Sequence, residues 1–103
     1  MAYRVFRSDI AEQDLISIIN FIADDSKDIY AAIRYLDVLE NSIMNLAQFP
    51  RIGIIPRYKS LRIQGLRILI VESHLIFYKI NESLKEIAII RILHSKQDYV
   101  NMI

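Results

Sequence analysis

The spacing of hydrophobic residues in the first part of the chain predicts a short strand followed by a helix. In residues 3–7, aromatic and β-branched side chains alternate with arginines, which is typical of a strand. Ser8 or Asp9 then provides an N-cap, and Glu12 stands where a capping box places an acid. Apolar residues follow at helical spacing and predict a helix to about Asp24: Ala11, Leu15, Ile18 and Ile22.

A second, longer helix is predicted after a short polar break. Ser26 is a good N-cap, and the apolar stripe continues to about Gln48. Phe49 to Gly53 ends the helix, because the residue before Pro50 avoids the helical region and glycine permits a turn. Two amphipathic helices with so short a break predict an antiparallel helical hairpin.

The second half of the chain changes to the alternation of strands. Residues 61–64 predict a short strand, and residues 66–72, 75–80 and 85–93 predict three longer ones. The last of these is apolar on both faces, so we expect it to lie centrally in the sheet. Ser95, with Asp98 three residues later, predicts a cap for a short final helix.

With residues 61–64 and 66–72 counted as one strand that has a bulge or turn at Gly65, these elements predict one α+β domain over residues 1–103, with the order β-α-α-β-β-β-α. We expect an antiparallel sheet with the two-helix hairpin packed on one face and the short C-terminal helix at its end. The other face of the sheet would then be free to act as a concave binding surface.

Composition excludes several classes of protein. The chain has no cysteine, and His74 and His94 have no acidic cluster near them, so we expect no disulfide, no metal site and no cofactor. Apolar runs are far shorter than the roughly 18 residues that span a bilayer, and no signal pattern opens the chain. We therefore expect a cytoplasmic protein with no membrane partner. The 53% hydrophobic content indicates a dense core, a partner-covered surface, or both.

Charge is distributed unevenly, although the net charge is only +1. Residues 1–50 carry a net charge of −4 and residues 51–103 a net charge of +5. Between residues 51 and 71 there are five basic residues and no acid: Arg51, Arg57, Lys59, Arg62 and Arg67. This asymmetry predicts either an anionic partner on one face or a solvated loop and sheet edge.

Arg91 is the most informative charge, because it lies inside an apolar strand. Alternation predicts Arg91 on the open face with Ile87, Ile89 and Leu93, while Ala88, Ile90 and Ile92 pack under the helices. A charge inside a strand must be paired or face water. One interpretation is therefore a pair with Glu72 or Glu86 that fixes strand register.

The alternative interpretation of Arg91 is a binding site. With Arg67 on a neighbouring strand and Arg57 and Lys59 in the preceding loop, it would form a cationic cradle for phosphate or carboxylate groups. Register cannot be determined from the pattern, so both interpretations remain open.

Few other side chains offer chemistry. His94, at a strand end, is either a general acid or base or simply a hydrogen-bonding cap, and His74 is expected to be solvated in a turn. Tyr99 is either a phenol or stacking ring for RNA or a side chain buried by the final helix, and Tyr58 is a loop aromatic among basic residues. No strong catalytic motif is present, although metal-free RNA cleavage needs only cations, an acid and a base.

The first helix, two strand segments and two motifs together form a pattern that covers nearly the whole chain. The strand segments are Arg67-Ile68-Leu69-Ile70 and Leu75-Ile76-Phe77-Tyr78-Lys79-Ile80, and the motifs are Leu46-Ala47-Gln48-Phe49-Pro50-Arg51-Ile52-Gly53 and Arg91-Ile92-Leu93-His94 with Gln97-Asp98. In this order and spacing they resemble the RelE/ParE family of toxins from bacterial type II toxin–antitoxin modules.

The resemblance implies a cognate antitoxin whose C-terminal segment wraps the toxin, and operator DNA that is contacted only through the antitoxin. ParE-like members poison DNA gyrase and are not known as nucleases. The last motif and the strand of residues 75–80 resemble that branch more closely, so gyrase is the expected target.

RelE-like members instead cut mRNA in the ribosome. In that alternative, Arg57, Lys59, Arg67 and Arg91 would bind phosphate, and His94 or Tyr99 would transfer a proton. A third possibility is a non-toxic binding module of the same fold.

Overall fold

A computed structural model describes residues 2–103, and its elements confirm the predicted α+β class and the helical hairpin on one face of a sheet. The elements are, in order, β1 (Arg4–Arg7), α1 (Asp9–Ser26), α2 (Ile29–Asn45), α3 (Lys59–Ile63), β2 (Arg67–Val71), β3 (His74–Asn81), β4 (Glu86–His94) and a final 3-10 turn (Tyr99–Asn101). No helix in these residues is long and apolar enough to cross a membrane.

The sheet is mixed rather than wholly antiparallel. Its strand order is β1-β4-β3-β2, with β4 central as predicted. The β2–β3 and β3–β4 pairs are antiparallel, whereas β1 pairs in parallel with β4 through Arg4 to Arg7. Alternation along a strand indicates an extended segment but carries no information on the direction of its neighbour, so the parallel pair was not predictable from the pattern.

The helices begin where polar side chains satisfy their first backbone N–H groups. Ser8 caps α1 as predicted, since its hydroxyl accepts the Ala11 N–H at 3.0 Å. The predicted cap of α2 is wrong by two residues. Asp28 accepts the first N–H groups of α2, while the Ser26 hydroxyl donates to the Ile22 carbonyl at 2.7 Å and so belongs to the end of α1.

Residues 61–64 do not form the predicted strand. They lie in and after α3, where the Tyr58 carbonyl accepts the N–H groups of Leu61 and Arg62, both at 3.1 Å. A short apolar run fits a helical turn as well as a strand. Tertiary packing decides the matter here, because one turn of helix buries Leu61 completely.

A β-bulge in β4 changes which residues face the helices. Phe77 pairs with Arg91 and Tyr78 pairs with Ile89, so Ile90 has no partner across the ladder. Ile87, Ile89 and Ile92 consequently pack in the core beneath the helices. The predicted placement of Ile87 and Ile89 on the opposite face is therefore wrong, since it assumed unbroken alternation.

The opposite face of the sheet is covered rather than free. A second core there is formed by residues of α3, β2, β3 and β4, with the C-terminal segment packed against it: Leu61, Leu66, Ile68, Leu75, Phe77, Leu93, Tyr99, Val100 and Ile103. The expected concave binding surface on this face is absent from the described residues, because α3 and the chain end occupy it. The final element is a 3-10 turn, and Asp98 makes no side-chain cap hydrogen bond to its backbone.

Candidate functional site

A groove of about 700 Å³ lies between α1 and the edge of β4. It exists because β1 ends at Arg7, opposite Ile89, so the rest of β4 has no strand on the side away from β3. We call it the α1 groove. Its walls are mainly apolar but include several polar side chains. The residues that line it are Asp14, Ser17, Ile18, Phe21, Ile22, Tyr35, Ser73, His74, Arg91, Ile92, Leu93, His94 and Gln97.

Arg91 is held in this groove by Asp14 of α1 rather than by Glu72 or Glu86. Its Nε and Nη2 donate to the two Asp14 oxygens at 2.8 and 3.0 Å, and Nη1 donates to the Met102 carbonyl at 3.3 Å. The hydrogen bonds and charge of Asp14 raise the pKa of Arg91, so the guanidinium stays charged. The predicted pairing of Arg91 is thus confirmed in kind but not in partner.

Asp14 also completes the open edge of β4. Its Oδ2 accepts the backbone N–H of Ile92 at 2.9 Å, which no strand is present to bond. Its side chain is 13% exposed and that of Arg91 18% exposed, so the pair is largely removed from water. Asp14 was not among the predicted site residues, although it is an acid one helical turn before Ile18, at the border of the apolar stripe.

The two histidines meet in the wall of the α1 groove. His74 and His94 are paired across β3 and β4, with ring centroids 5.2 Å apart in an edge-to-face arrangement. His74 is 8% exposed, so the expectation that it is solvated is wrong. Burial, and then the neighbouring His94, lower its pKa. The Nδ1 of His94 accepts the Lys96 N–H at 3.0 Å, which leaves its Nε2 to carry the proton of the neutral ring.

Tyr35 of α2 fixes the orientation of His74. The Tyr35 oxygen lies 2.6 Å from Nδ1 of His74 and 3.3 Å from the Val71 carbonyl. The hydroxyl has one proton, so all three groups are satisfied when Nδ1–H donates to Tyr35 and Tyr35 donates to Val71. Burial and the charge of Glu72 raise the pKa of Tyr35, which keeps this proton in place.

Arg67 lies outside the groove and supports the loop that precedes α3. Its Nη2 donates to the carbonyls of Arg51 and Gly53 at 3.2 and 3.1 Å. Its buried Nε has no hydrogen-bond partner among residues 2–103. These hydrogen bonds of Arg67 hold the backbone of residues 51–53 in place, whereas the predicted cradle would have used its guanidinium to bind an anion.

Arg57 and Tyr99 come together around Tyr58. The Arg57 guanidinium lies 5.2 Å from the Tyr58 ring centre, and Tyr58 packs edge-on to Tyr99 at 6.1 Å. Tyr99 also contacts Phe77 of the second core, with ring centroids 5.4 Å apart. Lys59 begins α3 nearby and is exposed.

The predicted site residues therefore fall into separate places. Arg91 and His94 share the α1 groove, Arg57 and Tyr99 share an aromatic cluster, and Arg67 lines a third cleft. Arg67 is two strands from Arg91, which is about 10 Å across the sheet. His94 lies level with the far end of β2, where Val71 pairs with His74. As placed, these cations do not converge on one point of the surface.

A family model described as the ParE toxin of a type II toxin–antitoxin system, parDE, matches residues 5–99. The chain belongs to the ParE toxin family. This match confirms the predicted resemblance to the RelE/ParE family over nearly the whole chain. A search of curated proteins finds no match.

Two solved structures share the fold of this ParE-family chain. One is the chromosomal ParDE toxin–antitoxin system of P. aeruginosa, with a TM-score of 0.75 and 18% identity over 92% of this chain and 98% of the other. The second is the toxin–antitoxin complex RelBE2 of Mycobacterium tuberculosis, with a TM-score of 0.68 and 19% identity over 91% of this chain and 99% of the other. Both likenesses support the architecture described above.

Proposed function

We propose that this ParE-family chain inhibits bacterial growth by acting on DNA gyrase, and that a cognate antitoxin neutralises it. The family match supports a toxin of the ParE branch. The observation that carries the choice of a protein target is the separation of Arg67 from Arg91 and His94. Metal-free RNA cleavage requires cations, an acid and a base around one scissile phosphate, and here these groups lie apart or are engaged by Asp14 and backbone carbonyls.

The α1 groove is the proposed antitoxin site. Phe21 on its rim is 69% exposed, and Ile18, Ile22 and Leu93 line it. A groove of this shape and polarity suits the apolar face of an amphipathic helix. Both similar solved structures are described as toxin–antitoxin systems, which supports a partner of this kind.

A paired assay on purified protein tests the target. One arm follows gyrase supercoiling and trapped cleaved DNA, and the other follows mRNA cleavage on translating ribosomes. We expect gyrase inhibition with intact mRNA. Cleaved mRNA with unaffected supercoiling would refute the gyrase assignment. Both targets are cytoplasmic, so the proposal also places the protein in the cytoplasm.

The antitoxin site is tested with the C-terminal segment of the antitoxin encoded beside the gene. Phe21→Glu should weaken binding of this segment at least tenfold, because it places a charge on the apolar rim. Ile16→Glu is the matched control, since Ile16 is 55% exposed on α1 and does not line the groove. Equal losses in both variants would contradict the assignment of the groove.

Ribosome-dependent cleavage of mRNA is the second candidate function, because Arg57, Tyr58 and Tyr99 form one cluster at the surface. Arg57 and Tyr58 are exposed, and Tyr99 is half-buried. Aromatic rings beside a cation are a frequent setting for stacked RNA bases. In that case Tyr99→Phe and Arg57→Ala would each abolish ribosome-dependent cleavage while leaving the fold intact. Loss of growth arrest without any change in mRNA cleavage would exclude the cluster as a nuclease site.

A further inference from the structure

The surface around residues 49–63 exposes large apolar side chains outside the α1 groove. Phe49, Ile52, Ile55 and Ile63 are each between 54% and 74% exposed. Together with Arg57 and Lys59 they define what we call the basic apolar face. Exposed apolar residues are common singly, but four within fifteen positions on one surface indicate a region that a partner covers.

Two adjoining clefts connect the part of the basic apolar face that contains Phe49, Ile52 and Ile55, and backbone hydrogen bonds hold its loop in place. Arg51 lines a cleft with Phe49 and Ile52 and also a second cleft with Ile55. Ile54 exchanges both backbone hydrogen bonds with Ile68 on the outer edge of β2, at 2.8 and 2.9 Å. The Gly53 N–H donates to the buried Tyr78 hydroxyl at 3.0 Å. A partner would therefore meet a preformed surface rather than a loop that must be ordered.

Charge indicates what kind of partner this face takes. Among residues 2–103, Arg51 is paired with Glu82, whereas Arg57, Lys59 and Arg62 have no carboxylate within ion-pair distance. The stretch from Arg51 to Val71 contains no acidic residue that could neutralise them. Unpaired cations around an apolar centre are complementary to acidic groups around apolar anchors.

We infer that the basic apolar face docks an acidic protein surface that inserts apolar side chains between Phe49, Ile52, Ile55 and Ile63. A protein fits better than nucleic acid, because four of the six exposed apolar side chains in residues 49–63 are isoleucines, and the two aromatic ones, Phe49 and Tyr58, are a minority of this surface. Bases stack on aromatic rings, and isoleucine offers no such platform. The inference rests on the proposed function, since the acidic surface would belong to the protein that the toxin inhibits, while the antitoxin segment occupies the separate α1 groove.

Growth arrest on expression in bacteria tests the face without assuming the target. Ile55→Glu and Lys59→Glu are the test variants. Leu84→Glu and Lys79→Glu are their matched controls, because both residues are exposed and lie outside the basic apolar face. We expect at least tenfold more inducer for arrest by the two test variants, unchanged arrest by the controls, and antitoxin-segment binding within twofold of wild type for all four. Thermal melting by circular dichroism verifies that each variant is folded.

Full growth arrest by folded test variants would overturn the inference. Test variants that lose both antitoxin binding and growth arrest would overturn it as well. The same proteins are then tested for binding to purified gyrase, to single-stranded RNA and to phosphatidylglycerol vesicles. Binding of wild type to RNA or vesicles that the test variants lose would also overturn it. If wild type arrests growth without binding gyrase, the proposed target fails, while selective loss of arrest in the test variants still supports the face.

Discussion

Breaking the Arg91–Asp14 pair should reveal whether Arg91 stabilises the fold or contacts the target. Asp14→Asn keeps an oxygen to accept the Ile92 N–H but removes the charge that faces Arg91. Arg91→Met keeps much of the side-chain volume and removes the cation. In either variant one charged or strongly polar group is left without its partner in a region that is less than one-fifth exposed.

The expected magnitude follows from this geometry. Removing one member of a buried ion pair costs about 3–5 kcal/mol, and the residual exposure of this pair lowers that to about 2 kcal/mol for each single variant. The double variant leaves no orphaned charge, so it should cost little more than either single variant. The coupling energy is then about 2 kcal/mol, within the range measured for groups in direct contact.

Urea unfolding followed by circular dichroism measures these values. With a urea dependence of about 1.5 kcal/mol per M, each single variant should lower the midpoint by roughly 1.3 M. Arg4→Met is the matched control, because Arg4 pairs with Glu86 but is 73% exposed, and it should cost less than about 1 kcal/mol. Single variants that leave stability unchanged, or that simply add in the double variant, would refute a structural role and favour target contact by Arg91.

Three further predictions follow from the packing and pKa directions. Gly53→Ala should destabilise the fold by about 2 kcal/mol or more, since a Cβ would lie 2.5 Å from the Tyr78 hydroxyl. Gly65→Ala is the control, because its Cβ meets no atom within 4 Å, and it should cost only about 1 kcal/mol for the positive φ of this position. Equal losses of stability in thermal melts of the two variants would contradict this prediction. The pKa of His74 is lowered in the folded state, so the free energy of unfolding should be greatest above the ordinary histidine pKa and fall as the pH drops below it. In urea titrations at a series of pH values, His74→Gln should make this fall smaller. Ser8→Ala should cost about 1–2 kcal/mol, because the hydroxyl both caps α1 and donates to the Ile90 carbonyl at 3.0 Å, and an unchanged melting temperature would argue against the cap.

The candidate site was only partly predictable, for a reason visible at Arg91. Its position inside an apolar strand indicated that it needed a partner, and the structure supplies one. Acids within the predicted strands suggested Glu72 or Glu86, yet the partner is Asp14 of α1, 77 residues away. His74 illustrates the same limit, since a turn position indicated exposure and the packing of Tyr35 from α2 buries it.

The sequence by itself determined the local elements and the family. Hydrophobic spacing specified both long helices and the three longer β-strands after them, and Ser8 specified the start of α1, because these depend on contacts within a few residues. The apolar residues on both faces of β4 also indicated its central position in the sheet. Only the tertiary structure decided the parallel pairing of β1, the bulge at Ile90, the helical form of residues 59–63 and the gathering of Asp14, Arg91, His74 and His94 in one groove. These features depend on contacts between distant segments, whose geometry a local pattern does not encode.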